Sequence, residues 1–227
     1  MEKLYAPIIN KGAKFLIVKR RAAELIKYAA NAFLATKITF INEIANLCEQ
    51  TGINVEDIAL GIGTDTRIGS RFLRAGPAYG GSCFPKDTKA LTRTASNHKV
   101  HLQLVNAVIK SNESRSSLIT SKIIKILKTE EENRGFLGVT FKANTDDMRD
   151  SSSLKIIPAL IKKDCVVNYY DPTGNKTNFD AYKSVHFYKN ANEVIKNSDL
   201  LVIHTEWDEF KNMNFDKITK IKFKILI

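Results

Sequence analysis

Between Ala22 and Gln50 the chain has neither Gly nor Pro, and apolar residues recur at Leu25, Ile26, Ala29, Phe33, Leu34, Ile38, Ile41, Ile44, Ala45 and Cys48. Steps of three and four residues place these side chains on two sides of an α-helix, and Gly52 is placed to stop it. Such a helix is about 43 Å long at about 1.5 Å per residue. One small domain does not cover that length, so the pattern predicts a helix that connects domains and forms the core of a dimer. A short helix is expected from an Asn54 cap to Leu60. Helical spacing returns from Thr88 to Ser96 and from His101 to about Lys128, the latter with Leu104, Val108, Leu118, Ile119, Ile123, Ile124 and Leu127 on its apolar side.

After a charged break at Glu130 to Arg134 the pattern changes. Strand-like apolar runs at Phe136–Phe141, Cys165–Tyr170, Val185–Tyr188, Leu200–Thr205 and Ile221–Ile227 alternate with helical patterns at Ser152–Lys163 and Ala191–Lys196. Alternation of this kind predicts a parallel sheet with crossover helices, whose ligands bind at the carboxyl ends of the strands. The loop from Phe141 and Lys142 to Arg149 falls at that end of the first strand. One further apolar run, Phe15 to Val18 between Lys14 and Lys19, reads as a strand with no partner nearby in sequence. The expected class is therefore α/β, a long-helix central domain followed by a parallel-sheet domain.

Composition narrows the functional classes. The 227 residues are 44% hydrophobic and 26% charged, the balance of a folded globular chain. No run approaches about 18 apolar residues and no signal segment opens the chain, so neither a membrane partner nor export is expected. Cys48, Cys83 and Cys165 are odd in number and lack metal-ligand spacing, which suggests a reducing cytoplasm and no metal site. The net charge of +11 invites a nucleic-acid partner. Yet the lysines are spread along amphipathic helices without a basic tract or interleaved aromatics, so no nucleic acid is expected.

The candidate chemistry gathers in Phe72-Leu73-Arg74-Ala75-Gly76-Pro77-Ala78-Tyr79-Gly80-Gly81-Ser82-Cys83-Phe84-Pro85-Lys86-Asp87. A glycine-rich loop lets a backbone approach a ligand closely. Cys83 lies just before a helix start, beside Lys86, the surroundings in which a cysteine serves as a thiolate nucleophile. His98 and His101 lack a third orienting group, so a Cys–His hydrolase is not supported. Lys27 and Asn31, four residues apart, share one helix face.

Four stretches occur in a telling order and spacing: Lys27-Tyr28-Ala29-Ala30-Asn31, Arg67-Ile68-Gly69, Gly80-Gly81-Ser82-Cys83-Phe84-Pro85-Lys86-Asp87 and Thr140-Phe141-Lys142-Ala143-Asn144-Thr145-Asp146-Asp147-Met148-Arg149. Together they resemble the nucleotide-sugar dehydrogenases of the UDP-glucose/GDP-mannose dehydrogenase family, from about Leu4 to Phe210. The resemblance implies NAD-dependent, two-step oxidation of UDP-glucose or a related UDP-sugar to the uronate, a polysaccharide precursor. It implies that residues 1–20 are a remnant of the cofactor domain, 21–130 a central helical domain with the catalytic loop, and 131–227 a Rossmann-like UDP-binding domain incomplete at its C-terminus. By the same resemblance Cys83 holds the sugar as a thiohemiacetal and then a thioester, Lys27 and Asn31 stabilise the oxyanion, and Asp87 is the general base of hydrolysis.

The resemblance also implies a binding surface. The UDP-sugar would contact Lys27, Tyr28, Ala29, Ala30 and Asn31, the loop residues Arg74, Ala75, Gly76, Pro77, Ala78, Tyr79 and Gly80, then Phe141 and Lys142, and Arg67 across a homodimer built on the helix from Ala22 to Gln50. NAD would touch Cys83, Phe84, Pro85, Lys86 and Arg149. Two departures stand out: Ala78 replaces a common glycine, and no Gly-x-Gly-x-x-Gly turn follows a strand. The family's N-terminal NAD domain is thus expected to be absent, and the chain alone is not expected to reduce NAD. A UDP-sugar-binding or dimer-forming chain without catalysis, and a dehydrogenase of GDP-mannose or a UDP-N-acetyl sugar, remain as alternatives; Phe84 and Tyr79-Gly80-Gly81-Ser82 favour UDP-glucose over the latter.

Overall fold

In a computed structural model of the chain, residues 1–126 and 133–215 are described in full and residues 223–226 by their backbone. The long apolar pattern forms α2 (Arg20–Thr51), and Gly52 closes it in the left-handed conformation at φ 71°. Ala32, Ala35, Thr39, Asn42, Ala45 and Cys48 form its buried face, against α4 (Phe84–Asn97) and α5 (Gln103–Ile126). The opposite face behaves differently. Ile26, Phe33, Phe40 and Leu47, seven residues apart, are 54%, 65%, 49% and 60% exposed. Leu25, Ile26 and Phe33 thus lie on a second apolar side, outside the chain's own core.

α3 (Val55–Gly63) starts where the Asn54 side chain accepts the Glu56 N–H at 3.0 Å. α4 begins four residues before the expected Thr88, because Pro85 suits a first helical turn, where its missing N–H has no partner to lose. The Asp87 N–H closes that turn on the Cys83 carbonyl at 2.8 Å, and Cys83 becomes the N-cap residue. At the N-terminus, α1 (Glu2–Ile9) forms where no element was expected, and none of its residues is buried. The run Phe15 to Val18 is not a strand: Phe15 is half-buried with its ring 6.1 Å from that of Tyr5, Leu16 to Val18 lie exposed, and no sheet edge among the described residues pairs with them.

The second half is a five-stranded, all-parallel sheet in the order β3-β2-β1-β4-β5. Its strands are β1 (Arg134–Leu137), β2 (Val167–Tyr170), β3 (Val185–Phe187), β4 (Leu200–Ile203) and β5 (Phe223–Leu226). Alternate side chains serve two cores. Phe136, Val167, Tyr169 and Val202 pack against Ile156, Ile157 and Leu160 of α6 (Ser153–Ile161). Leu137, Leu201 and Ile203 pack with Val194 and Ile195 of α7 (Ala191–Lys196) and Phe210 of α8 (Asp208–Lys211). Ile119 and Ile123 of α5 also enter the first of these cores, so one helix serves both halves of the molecule. Leu127, most of the charged break at 130–134 and the ends of the expected run Ile221–Ile227 lie outside the described residues.

β1 ends at Leu137 rather than Phe141. Gly138 turns the chain at φ 76°, and a Cβ there would stand 2.5 Å from Cβ of Thr205. The N–H groups of Val139 and Thr140 leave the ladder and reach Asp171 Oδ2 at 2.9 and 3.4 Å. Phe141 and Lys142 therefore stand on a loop beyond the sheet. A Gly138→Ala variant combines a left-handed backbone with a collision and should lose about 3 kcal/mol of stability. Urea denaturation reads this as a lower midpoint at unchanged slope; an unaltered midpoint would show that the turn relaxes freely.

Candidate active site

Strand order reverses between β1, whose chain continues to β2, and β4 on its other side. The crevice beyond such a switch point is where open parallel sheets bind ligands. Here the glycine-rich loop of the helical half lies across it. A Cβ on Gly80 would fall 2.4 Å from the Asp150 carbonyl oxygen, and one on Gly81, at φ 77°, 2.6 Å from the Phe141 ring. The Gly81 N–H donates to the Arg149 carbonyl at 2.9 Å, and Arg74 Nη1 meets Glu206 Oε2 at 2.5 Å. The immediate reason for Gly80 and Gly81 is thus close approach to the protein's own second half, where the sequence suggested a ligand. Gly76 differs, having open space where its Cβ would be.

Asp87 is the electrostatic centre. Its side chain is wholly buried in the first turn of α4, and its Oδ2 accepts from both Lys27 Nζ and, at 2.6 Å, Asn31 Nδ2. Burial alone opposes ionisation of Asp87, but the hydrogen bonds from Lys27 and Asn31 and the charges of Lys27 and Lys86 outweigh it and hold the carboxyl below its usual range. The bond to Asp87 in turn raises the Lys27 ammonium above its ordinary value. Oδ1 of Asp87 is buried without a protein partner. The shared helix face expected for Lys27 and Asn31 is therefore real, and one carboxylate fixes both donors.

Cys83 caps the same helix, exposed and unpaired, with Ser82 Oγ 3.6 Å from its sulfur. Arg149 is held above its usual range chiefly by its 2.7 Å pair with Asp147, and the nearby Cys83 adds to the effect. Across the crevice, the exposed Lys142 lies with Nζ 5.3 Å from the Phe141 ring centroid. Tyr28 supports Lys27 at 5.5 Å, while Ala29 and Ala30 are exposed on α2. Tyr79 is buried edge-on to Phe84 at 6.1 Å, and Ala75, Pro77, Ala78 and Pro85 are half-buried around them. Lys86 is exposed on the first turn of α4. Arg67 stands apart: its guanidinium folds back onto Asp65 at 2.6 Å and its side chain is 87% exposed.

The central-domain model of the UDP-glucose/GDP-mannose dehydrogenase family matches residues 21–114, and the family's UDP-binding-domain model matches residues 135–227. The chain belongs to the UDP-glucose/GDP-mannose dehydrogenase family. A UDP-glucose 6-dehydrogenase of Rickettsia prowazekii is 47% identical over 96% of this chain and 51% of its own length. One from Rhizobium meliloti is 45% identical over 96% of this chain and 50% of its own. The chain spans about half the length of the curated relatives it matches. Among solved structures, a UDP-glucose dehydrogenase of Pyrobaculum islandicum superposes with a TM-score of 0.84 at 30% identity, over 93% of this chain and 48% of that one. A UDP-D-ManNAc dehydrogenase of Pyrococcus horikoshii gives 0.75 at 28% identity, over 90% and 47%.

Some residues of this family member's site escaped the sequence reading. Asn42 of α2 and Asn112 and Arg115 of α5 hold the backbone of the glycine-rich loop. Their signal was a polar residue at a core step: Val108, Asn112, Arg115, Ile119 and Ile123 follow one another at helical spacing. Among the three cysteines, limited iodoacetamide treatment at neutral pH should label Cys83 first, since Cys48 and Cys165 are buried. Peptide mapping that finds either buried thiol labelled as fast would count against the arrangement. The lowered Asp87 carboxyl stabilises the fold above the ordinary carboxyl pKa of about 4, and that contribution is lost as pH falls through the lower folded value. The stability difference between wild type and Asp87→Asn, followed by urea denaturation, should be largest at neutral pH and shrink below about pH 4; a gap that persists in acid would contradict this.

Proposed function

We propose that this chain carries the catalytic centre and the UDP-sugar site of a dehydrogenase that oxidises UDP-glucose to UDP-glucuronate, acting as a cytoplasmic homodimer with NAD. The observation that carries the reading is the placement of Cys83 one helical turn from the Asp87, Lys27 and Asn31 cluster, on a loop laid over the switch point of the sheet. Lys142 offers a point charge to the diphosphate beside the flat Phe141 ring, and the loop from Arg74 to Gly80 receives the sugar. NAD, when bound, would supply the hydride acceptor; Cys83, Phe84, Pro85, Lys86 and Arg149 would face it. No Gly-x-Gly-x-x-Gly cradle for its pyrophosphate occurs in these residues.

The residues of the chain act on the sugar carbon. The Cys83 sulfur adds to the aldehyde carbon while its proton passes to the carbonyl oxygen, giving a thiohemiacetal that keeps the aldehyde from escaping. At the higher oxidation level the same sulfur holds the carbon as a thioester. Hydrolysis adds water to that carbonyl and expels the Cys83 thiolate, leaving the carboxylate product. The charge on the tetrahedral oxygen is met by the Lys27 ammonium and the Asn31 amide, one such donor being worth about 3–4 kcal/mol. Asp87 holds both donors through Oδ2, and its unpartnered Oδ1 accepts the proton of the attacking water.

The exposed stripe Ile26, Phe33, Phe40 and Leu47 supports the homodimer, since a second copy would cover it, with Arg67 reaching the neighbouring site. Cys48, Cys83 and Cys165 form no disulfide, which suits a reducing cytoplasm. Calorimetry should show UDP-glucose and UDP binding, GDP-mannose binding more weakly, and a loss of about tenfold or more in UDP affinity for Lys142→Ala. The 6-aldehyde of UDP-glucose should shield Cys83 from alkylation better than UDP-glucose does. Absence of binding to all three nucleotides would overturn the reading, and tighter GDP-mannose binding would redirect it. For the dimer, sedimentation should give twice the chain mass for wild type and a single mass for Phe33→Glu/Phe40→Glu; a monomeric wild type would refute it.

A further inference from the structure

We infer that Asn42, Asn112 and Arg115 form a two-point clamp on the glycine-rich loop and act as positioning residues for the sugar of the substrate, resting on the reading of that loop as the UDP-sugar site. At the first point, the Gly76 N–H donates to Asn42 Oδ1 at 2.8 Å and the Gly76 carbonyl accepts from Arg115 Nε at 2.5 Å. At the second, the Tyr79 N–H donates to Asn112 Oδ1 at 2.8 Å and the Tyr79 carbonyl accepts from Asn112 Nδ2 at 3.0 Å. Side chains from two helices thus satisfy both main-chain polar groups of two loop residues. No backbone ladder supports this segment, which has neither helix nor strand.

The clamp is built into the core and is costly to rearrange. Asn42 is buried, and Arg115 Nη1 also donates to the Asn42 carbonyl at 3.2 Å and to Asn46 Oδ1 at 3.3 Å. Burial brings the Arg115 pKa down to about 10, against the pull of Glu49, so the guanidinium remains charged at neutral pH. A half-buried arginine that spends its donors on carbonyl oxygens has, among the described residues, no carboxylate in hydrogen-bonded contact to hold it there. Its work is geometric. Gly76 keeps open space on its outer side while its main-chain groups are fixed on the inner side. That combination suits a backbone shaped in advance to receive a ligand.

The test compares Asn42→Leu and Asn112→Leu with Asn42→Asp, which retains the acceptor for Gly76. The clamp predicts faster amide exchange at Gly76 in Asn42→Leu and at Tyr79 in Asn112→Leu, with Asn42→Asp close to wild type. UDP-glucose affinity should fall about tenfold in the two leucine variants, while UDP, held from the other side by Lys142, changes by less than about threefold. Unchanged exchange would overturn the clamp. Exchange that changes without altering the ratio of the two affinities, or an equal loss of both ligands, would reduce it to a purely structural contact. A wild-type chain that binds neither nucleotide would defeat the functional reading and the substrate half of this inference, and exchange alone would then decide the clamp.

Discussion

Two missing side chains govern how this molecule is put together. At Gly80 and Gly81 the backbone comes so close to Phe141 and to the Asp150 carbonyl that any Cβ would overlap them. The helical half and the sheet half meet there, and the meeting point is also the loop that carries Cys83 at its far end. Close packing of this kind has little slack, since protein interiors respond to changes of a single methylene. Positioning of the thiol and docking of the two halves are therefore one geometric condition.

The second organising feature is a single carboxylate. Asp87 has no exposure and would be costly to ionise alone. Lys27 and Asn31 reach it from α2, so the same contact that permits the charge ties α4 to α2. Because the Lys27 side chain remains more than half exposed, this is a pair at the rim of the core. The arrangement resembles a preset electrostatic site, in which donors are held in place before charge develops.

Much of this was legible in the sequence, and the failures have identifiable causes. The long helix and its Gly52 stop, the alternation of strands and helices and the shared face of Lys27 and Asn31 follow from periodicity and capping. The strand expected to reach Phe141 stops at Leu137, because Gly138 and the Asp171 carboxylate together replace the ladder, and Asp171 is distant in sequence. Phe15 to Val18 has the composition of a strand and no edge to join, which only a three-dimensional neighbour could supply. The glycines were expected to let the backbone approach a ligand; Gly80 and Gly81 instead lie against the Asp150 carbonyl and the Phe141 ring, which no local pattern announces, and Gly76 has open space. Asn42, Asn112 and Arg115 belong to no motif, and only their polar character at core steps marked them.

The exposed stripe on α2 has a geometric consequence of its own. A seven-residue repeat falls short of two full turns of a straight α-helix by about 20°, so four residues at that spacing slant by about 60° from first to last. Ile26 and Leu47 thus point to opposite sides of the line on which Phe33 and Phe40 are centred. A straight rod laid on this surface touches the two phenylalanines and parts from the stripe at both ends. Only a surface that winds around α2 in a left-handed sense can follow all four residues.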